Sequence, residues 1–297
     1  MISDEFLKHR TEQKKIFDLI SGKYLCGIDL EVCKYVTKQM VPVDLECLNM
    51  GEIISRTELV ERSLEEVKKF GLIPYLRIKN LSSKIPLNVN EETILRYEHC
   101  FDFEYNLKSG EVLSWNNSAY IISPTLYDLS VYMLTHEHMH ALKDINLNEF
   151  RDTLVEVIPL FYELMIFDSD EKMKRELMRY RLGVLYAEGV VFSECNKELI
   201  NGEISYAKNL FDESDCETYG LYNFTRSDSG KYLNSFYYSM MLYLKYQENP
   251  RKILHLVSKV LNNRLTTFEL LNKLGIYGDI KSGLFEKEVG KIRKYVK

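Results

Sequence analysis

The run His136-Glu137-His138-Met139-His140 places two imidazoles four positions apart, with a carboxylate next to the first. On a helix, residues four apart share a face, so both rings can reach one metal ion. Glu137 lies about 100° further round, close enough to act on a water activated at that ion. Two histidines and an adjacent glutamate are what a zinc hydrolase needs at its centre. The chain has six histidines and three of them fall within these five positions, a concentration that chance rarely produces. His138 lies across the helix from the pair, on the face shared by Val131, Leu134 and Leu142. It is expected to be a hydrogen-bonded histidine rather than a ligand.

Elements around the motif must hold it. Ser123-Pro124 reads as a helix start, with Ser as N-cap and Pro at the first helical position. The polar stretch Lys143 to Asn148 reads as the stop. The spacing therefore predicts a helix of about 20 residues with the motif in its C-terminal half. Apolar neighbours on most sides, including Leu129 and Met133, predict that this helix is buried. Buried polar rings require partners.

Two histidines are too few for a catalytic zinc, which keeps three protein ligands and one open position. A third histidine close by is excluded, because Asn146 stands six residues after His140 and the next histidine is His255. An acidic residue on the following segment is the natural source, and Glu149, Glu156 and Glu163 are the candidates. Glu156 lies sixteen residues beyond His140, enough for a turn and an antiparallel return, and Glu163 follows two helical turns later on the same face.

The rest of the chain reads as mainly helical. Phe6, Ile16, Phe17 and Ile20 share one helical face, Leu30–Met40 forms a second segment and Thr57–Phe70 a third that Gly71 ends. Leu72–Ile78 and Ile85–Val89 read as short and extended. Phe101–Asn106 and Val112–Ile122 alternate apolar and polar residues around a turn at Lys108–Glu111, which predicts a small β-element directly before the motif helix. Helical patterns resume at Arg151–Phe167, Glu171–Glu194, Tyr232–Tyr246, Arg251–Leu261, Thr267–Leu274 and Leu284–Lys297. The fold class expected is mainly α, with an N-terminal helical lobe over 1–70 and a catalytic domain over 71–297, or the two as one continuous domain.

A formal net charge of −5 argues against a nucleic-acid surface. No apolar run is long enough to cross a membrane. The six cysteines are scattered without a C-x-x-C pair, and the acidic N-terminus lacks an apolar signal core. Reduced thiols and a cytoplasmic location are expected.

Val155-Glu156-Val157-Ile158-Pro159-Leu160-Phe161-Tyr162-Glu163 resembles the V-E-x-P-S-x-F-x-E segment of the thimet oligopeptidase and oligoendopeptidase F metallopeptidases. The two glutamates and the phenylalanine keep their spacing, and Pro159 is shifted by one. The stretch from Gly230 to Tyr238, followed by Glu248-Asn249-Pro250, resembles that family's tyrosine-rich helix, and Thr267–Ile276 its closing helix-turn. The likeness spans about residue 115 to the end, in a chain about half the usual family length. Departures are Met139 before the second motif histidine, where the family usually has glycine, a shorter His140–Glu156 spacing, Ser227 in place of a histidine, and Ser239 in place of the last tyrosine.

The resemblance implies a zincin-like helical metallopeptidase catalytic domain holding one Zn²⁺ through His136, His140 and Glu156, with Glu163 as a carboxylate behind a ligand. It implies Glu137 as the general base and a tyrosine hydroxyl that stabilises the oxyanion, Tyr232 first and Tyr238 second, with Tyr237 also in the segment. The substrate implied is a short peptide. The alternatives are a protease of the same ligand set dedicated to one protein, and a metal- or peptide-binding protein with little turnover.

Overall fold

The computed structural model describes residues 28–40, 43, 48–82, 96–106, 111–122, 128–142, 154–167, 172–201 and 231–296, with backbone alone described for 96–122 and 187–201. Within these ranges the molecule is mostly helical. The helices are α1 (Ile28–Gln39), α2 (Arg56–Val67), α3 (Leu72–Ser82), α4 (Ser130–Leu142), α5 (Val157–Phe167), α6 (Lys172–Asn201), α7 (Lys231–Glu248), α8 (Pro250–Leu261), α9 (Thr267–Lys273) and α10 (Leu284–Val296). Extended chain pairs as an antiparallel backbone ribbon, Arg96–Asn106 against Glu111–Ile122.

The helical body contains no strand, and the small β-element expected to support the motif helix is not seen in it. The main flanks of α4 are helices, α2 on one side and α5 on the other. The reason lies in α4 itself, which is buried at every position from Ser130 to His140. A helix apolar all round must be covered on more than one face. Leu59 of α2 packs on Val131 and Leu134. The opposite face, with His136 and His140, meets α5. α7 in turn packs along α5 and α1, and α6 closes against α5. One hydrophobic cluster runs through these layers and joins Val36, Val67 and Phe70 to Phe161, Leu233 and Leu242.

Local chemistry accounts for the boundaries. Ser55 caps α2 by accepting from the Glu58 N–H at 3.1 Å. Gly71, at φ 113, ends the short 3₁₀ turn Lys68–Phe70 in a conformation that side chains with a Cβ avoid. Beyond it Leu72–Ile78, expected to be extended, is helical. Pro74 is its third residue, and in a first turn the missing N–H has no intrahelical acceptor to lose. Pro159 repeats this as the third residue of α5. Asn249 and Pro250 start α8 as N-cap and first residue, and Thr266 with Glu269 forms a capping box for α9.

The motif helix departs from its expected length. It has thirteen residues and begins at Ser130; the expected start at Ser123-Pro124 and the stop beyond Leu142 lie outside the described residues. So do the helix expected around Phe6–Ile20, the extended Ile85–Val89 and the first three residues of the turn expected at Lys108–Glu111, whose last residue opens a strand. The chain is led into α4 by a backbone pairing, in which the N–H groups of Asp128 and Leu129 donate to the carbonyls of Glu52 (2.9 Å) and Met50 (3.1 Å). Arg62 of α2 forms an ion pair with Asp128. The segment Arg151–Phe167, expected as one helix, turns at 154–156 and becomes helical only at Val157.

Gly51 stands at this lead-in with φ 83, and a Cβ there would collide with Met173 Cε and lie 2.9 Å from Asp128 Cβ. Gly51→Ala is expected to destabilise the fold by about 1–3 kcal/mol through strain and overpacking. Its midpoint in urea, set against that of a Gly275→Ala control that shares the positive φ (65) but whose Cβ meets open space, isolates the overpacking.

Candidate metal centre

Each helix brings a defined piece to the site. α4 supplies His136 and His140, one turn apart on its inner face, with ring centroids 5.0 Å apart. α5 supplies two glutamates. Glu156 occupies its N-cap position, since its carbonyl accepts the first helical bond from the Leu160 N–H at 2.9 Å. A carboxylate there is favoured by the positive end of the helix dipole. Glu163 lies two turns further along. The two glutamates bracket one imidazole: Glu156 Oε2 is 3.1 Å from His136 Nε2, and Glu163 Oε1 is 2.8 Å from His136 Nδ1.

The donor atoms converge. His140 Nε2 lies 3.2 Å from His136 Nε2 and 3.0 Å from Glu156 Oε2. Tetrahedral zinc with ligands at 2.0–2.1 Å separates neighbouring donor atoms by about 3.3 Å. The triangle drawn by these three atoms has nearly that edge, so an ion can sit just above its plane, bonded to all three, with the fourth direction open. His136, His140 and Glu156 are all buried.

Tautomer and charge agree with this. Glu163 accepts two bonds from the Arg181 guanidinium of α6, Nε to Oε2 at 2.8 Å and Nη2 to Oε1 at 2.7 Å. Burial works to raise the Glu163 pKa, but Arg181 and then His136 more than offset it and hold the group below its ordinary value. An ionised carboxylate only accepts, so His136 Nδ1 must carry a hydrogen, which leaves Nε2 to face the other donors. Glu137, Glu156 and Glu163 are buried with one guanidinium, that of Arg181. Three carboxyl groups thus lie buried beside one guanidinium, a surplus of acidic groups that a bound cation would offset.

His138 faces the other way, as its helix position requires. Its Nδ1 is 2.9 Å from Ser63 Oγ, which is 2.9 Å from Thr135 Oγ1, which donates to the Val131 carbonyl at 2.7 Å. Because Thr135 uses its hydrogen on a carbonyl, Ser63 donates to Thr135 and His138 Nδ1–H donates to Ser63. Burial pushes the His138 pKa down to about 3, so the ring stays neutral and locks α4 to α2.

The tyrosines are placed differently. Tyr232, half-buried at the start of α7, has its ring 5.7 Å from the Arg181 guanidinium, which itself sits on the Nδ1 side of His136. Tyr238 is buried and stacks on Tyr277 at 5.5 Å, and Tyr237 packs edge-on to it and against Phe285. Ser239 is buried and donates to the carbonyls of Val157 (2.8 Å) and Ser235 (2.5 Å), so it ties α7 to the residue following Glu156. Glu149 and Ser227 lie outside the described residues. Sequence reasoning missed Arg181. Its signal was present, since it interrupts the buried stripe Leu177, Met178, Leu182, Leu185 of α6 with a cation.

No protein-family model, curated protein or solved structure matches this chain. The resemblance to the oligopeptidases therefore rests on the sequence motifs alone.

In the metal-free protein, burial lowers the His136 pKa, but bonds to Glu156 and Glu163 outweigh it and raise it to about 9. The proton held at Nε2 occupies the position a metal needs. The imidazolium therefore stabilises the metal-free fold below pH 6.5, and this contribution is lost as pH rises through about 9. Metal binding has the opposite dependence. Zinc affinity is expected to rise about tenfold per pH unit from 6.5 toward 9 and then level. Thermal melts with and without zinc should show a gap that widens over this window; a constant gap counts against the assignment. Glu156→Ala should weaken zinc at least tenfold in a chelator competition.

Proposed function

We propose that this chain is a zinc-dependent peptidase with a zincin-like helical catalytic domain, acting on short peptides. The observation that carries the proposal is the convergence of His136 Nε2, His140 Nε2 and Glu156 Oε2 within 3.2 Å of one another on a helix that also bears Glu137. A binding site alone has no need of that second carboxylate. Peptide as the substrate class follows from the resemblance to the oligopeptidases.

Zinc, when bound, would supply Lewis-acid polarisation of the scissile carbonyl and ease the ionisation of water. The chain's own residues do the rest. Glu137 takes the proton from the attacking water and hands it to the leaving amide nitrogen. Glu163 keeps His136 in one tautomer and one orientation. The developing oxyanion needs a further donor. Of the tyrosines in the α7 segment, Tyr232 is half-buried and lies one side chain away from Glu163, whereas Tyr238 is enclosed by the Tyr237–Tyr277 packing. The resemblance alone supports Tyr232 as that donor, since its ring lies on the Nδ1 side of His136 with Arg181 between. No helix among the described residues is long and apolar enough to cross a membrane, and scattered cysteines without a paired motif fit action in the cytoplasm.

Ser239 favours a second reading. The hydroxyl that stands where the family has its last tyrosine bonds Val157 and Ser235, as it would in a metal- or peptide-binding protein with little turnover. A third option keeps the same chemistry for one dedicated protein substrate.

A quenched peptide library separates these. Glu137→Gln is expected to retain zinc and to lose about 10²–10⁴-fold in kcat/KM. Tyr232→Phe is expected to lower kcat about 10²-fold with KM little changed. Stoichiometric zinc with no cleavage of any peptide by the wild type would select the binding reading. Rapid cleavage of one protein beside slow cleavage of peptides would select the dedicated protease.

A further inference from the structure

We infer that Arg181 is a positioning residue of the metal centre, acting through Glu163 on His136, with its guanidinium held between the rings of Tyr180 and Tyr232. The inference rests on the metal-centre reading above, and it does not depend on peptide being the substrate.

Arg181 is buried on a helix that contributes no ligand. An apolar residue at that position would continue the stripe of Leu177, Met178, Leu182 and Leu185 and would be cheaper to bury. What the arginine provides is a planar fork. Its Nε and Nη2 engage the two different oxygens of Glu163 at 2.8 and 2.7 Å, which fixes the carboxylate plane as a single bond would not. Glu163 Oε1 then receives His136 Nδ1 at 2.8 Å, so the plane of the carboxylate sets the rotation of the imidazole. That rotation aims Nε2 at the point it shares with His140 Nε2 and Glu156 Oε2.

The fork itself is held. Rings of Tyr180 and Tyr232 lie 5.8 and 5.7 Å from the guanidinium carbon, within reach of cation–π attraction. Tyr232 comes from α7 and Arg181 from α6, so the orientation of a ligand on α4 is set by three other helices. A lysine could keep the charge, but it presents one ammonium where Glu163 is gripped by two parallel donors.

Cobalt(II), loaded into the full-length protein, reads this geometry through its visible d–d absorption, with no need of turnover. Arg181→Met is expected to weaken cobalt binding about 10–100-fold and to alter the bands. Arg181→Lys is expected to keep a melting temperature near that of the wild type and still show altered bands. Glu163→Gln should resemble Arg181→Met, and the double variant should be no weaker than either alone, because both act on one path. Wild-type bands in Arg181→Lys, or fully additive losses in the double variant, would overturn the inference; should Arg181→Met not fold, the lysine and glutamine variants decide it. A wild type that binds no cobalt, or a His140→Ala variant that binds it unchanged, would overturn the metal centre and this inference together.

Discussion

Buried charge is the constraint around which this molecule is arranged. Glu137, Glu156, Glu163 and Arg181 lie in the middle of a helical core with two imidazoles between them. An uncompensated ion in such a place costs several kcal/mol even after relaxation. The Arg181–Glu163–His136 chain pairs one carboxylate with a guanidinium and an imidazole. Glu156 meets both imidazoles at the shared point of the donor triangle. The contact of α4 with α5 is also the contact that assembles the site.

The two faces of α4 show how one helix serves two purposes. Toward α5, His136 and His140 meet carboxylates and stay able to bind an ion. Toward α2, His138 meets hydroxyls, and burial keeps it neutral. The same side chain, two positions apart, can serve an ion on one face and is a fastening on the other. The difference comes from what lies opposite, since an imidazole takes its protonation state from its neighbours.

α5 carries the other half of the centre through its spacing. Glu156 at the N-cap and Glu163 two turns on grip opposite nitrogens of one ring, which is possible because the helix axis runs past His136 rather than toward it. Ser239 secures the first turn of α5 by bonding the Val157 carbonyl. At this buried position the chain uses a small donor to a backbone carbonyl.

The sequence by itself determined what is local. Four-residue spacing put His136 and His140 on one face and turned His138 away, and seven-residue spacing paired Glu156 with Glu163. Helical patterning placed α8 and α9 within a residue of their ends. Leu72–Ile78 was misread as extended, because Pro74 looks like a breaker until it is known to stand in a first turn. Only the tertiary structure decided what is non-local: that α2 and α5 flank α4, that Glu156 sits in the turn before its helix, that Arg181 pairs with Glu163, and that Tyr238 packs in the core while Tyr232 reaches Arg181. Periodicity reports which side of a helix is apolar, but it cannot report which helix covers that side. A charge buried among apolar residues finds its counter-charge only when segments far apart in the chain are folded together.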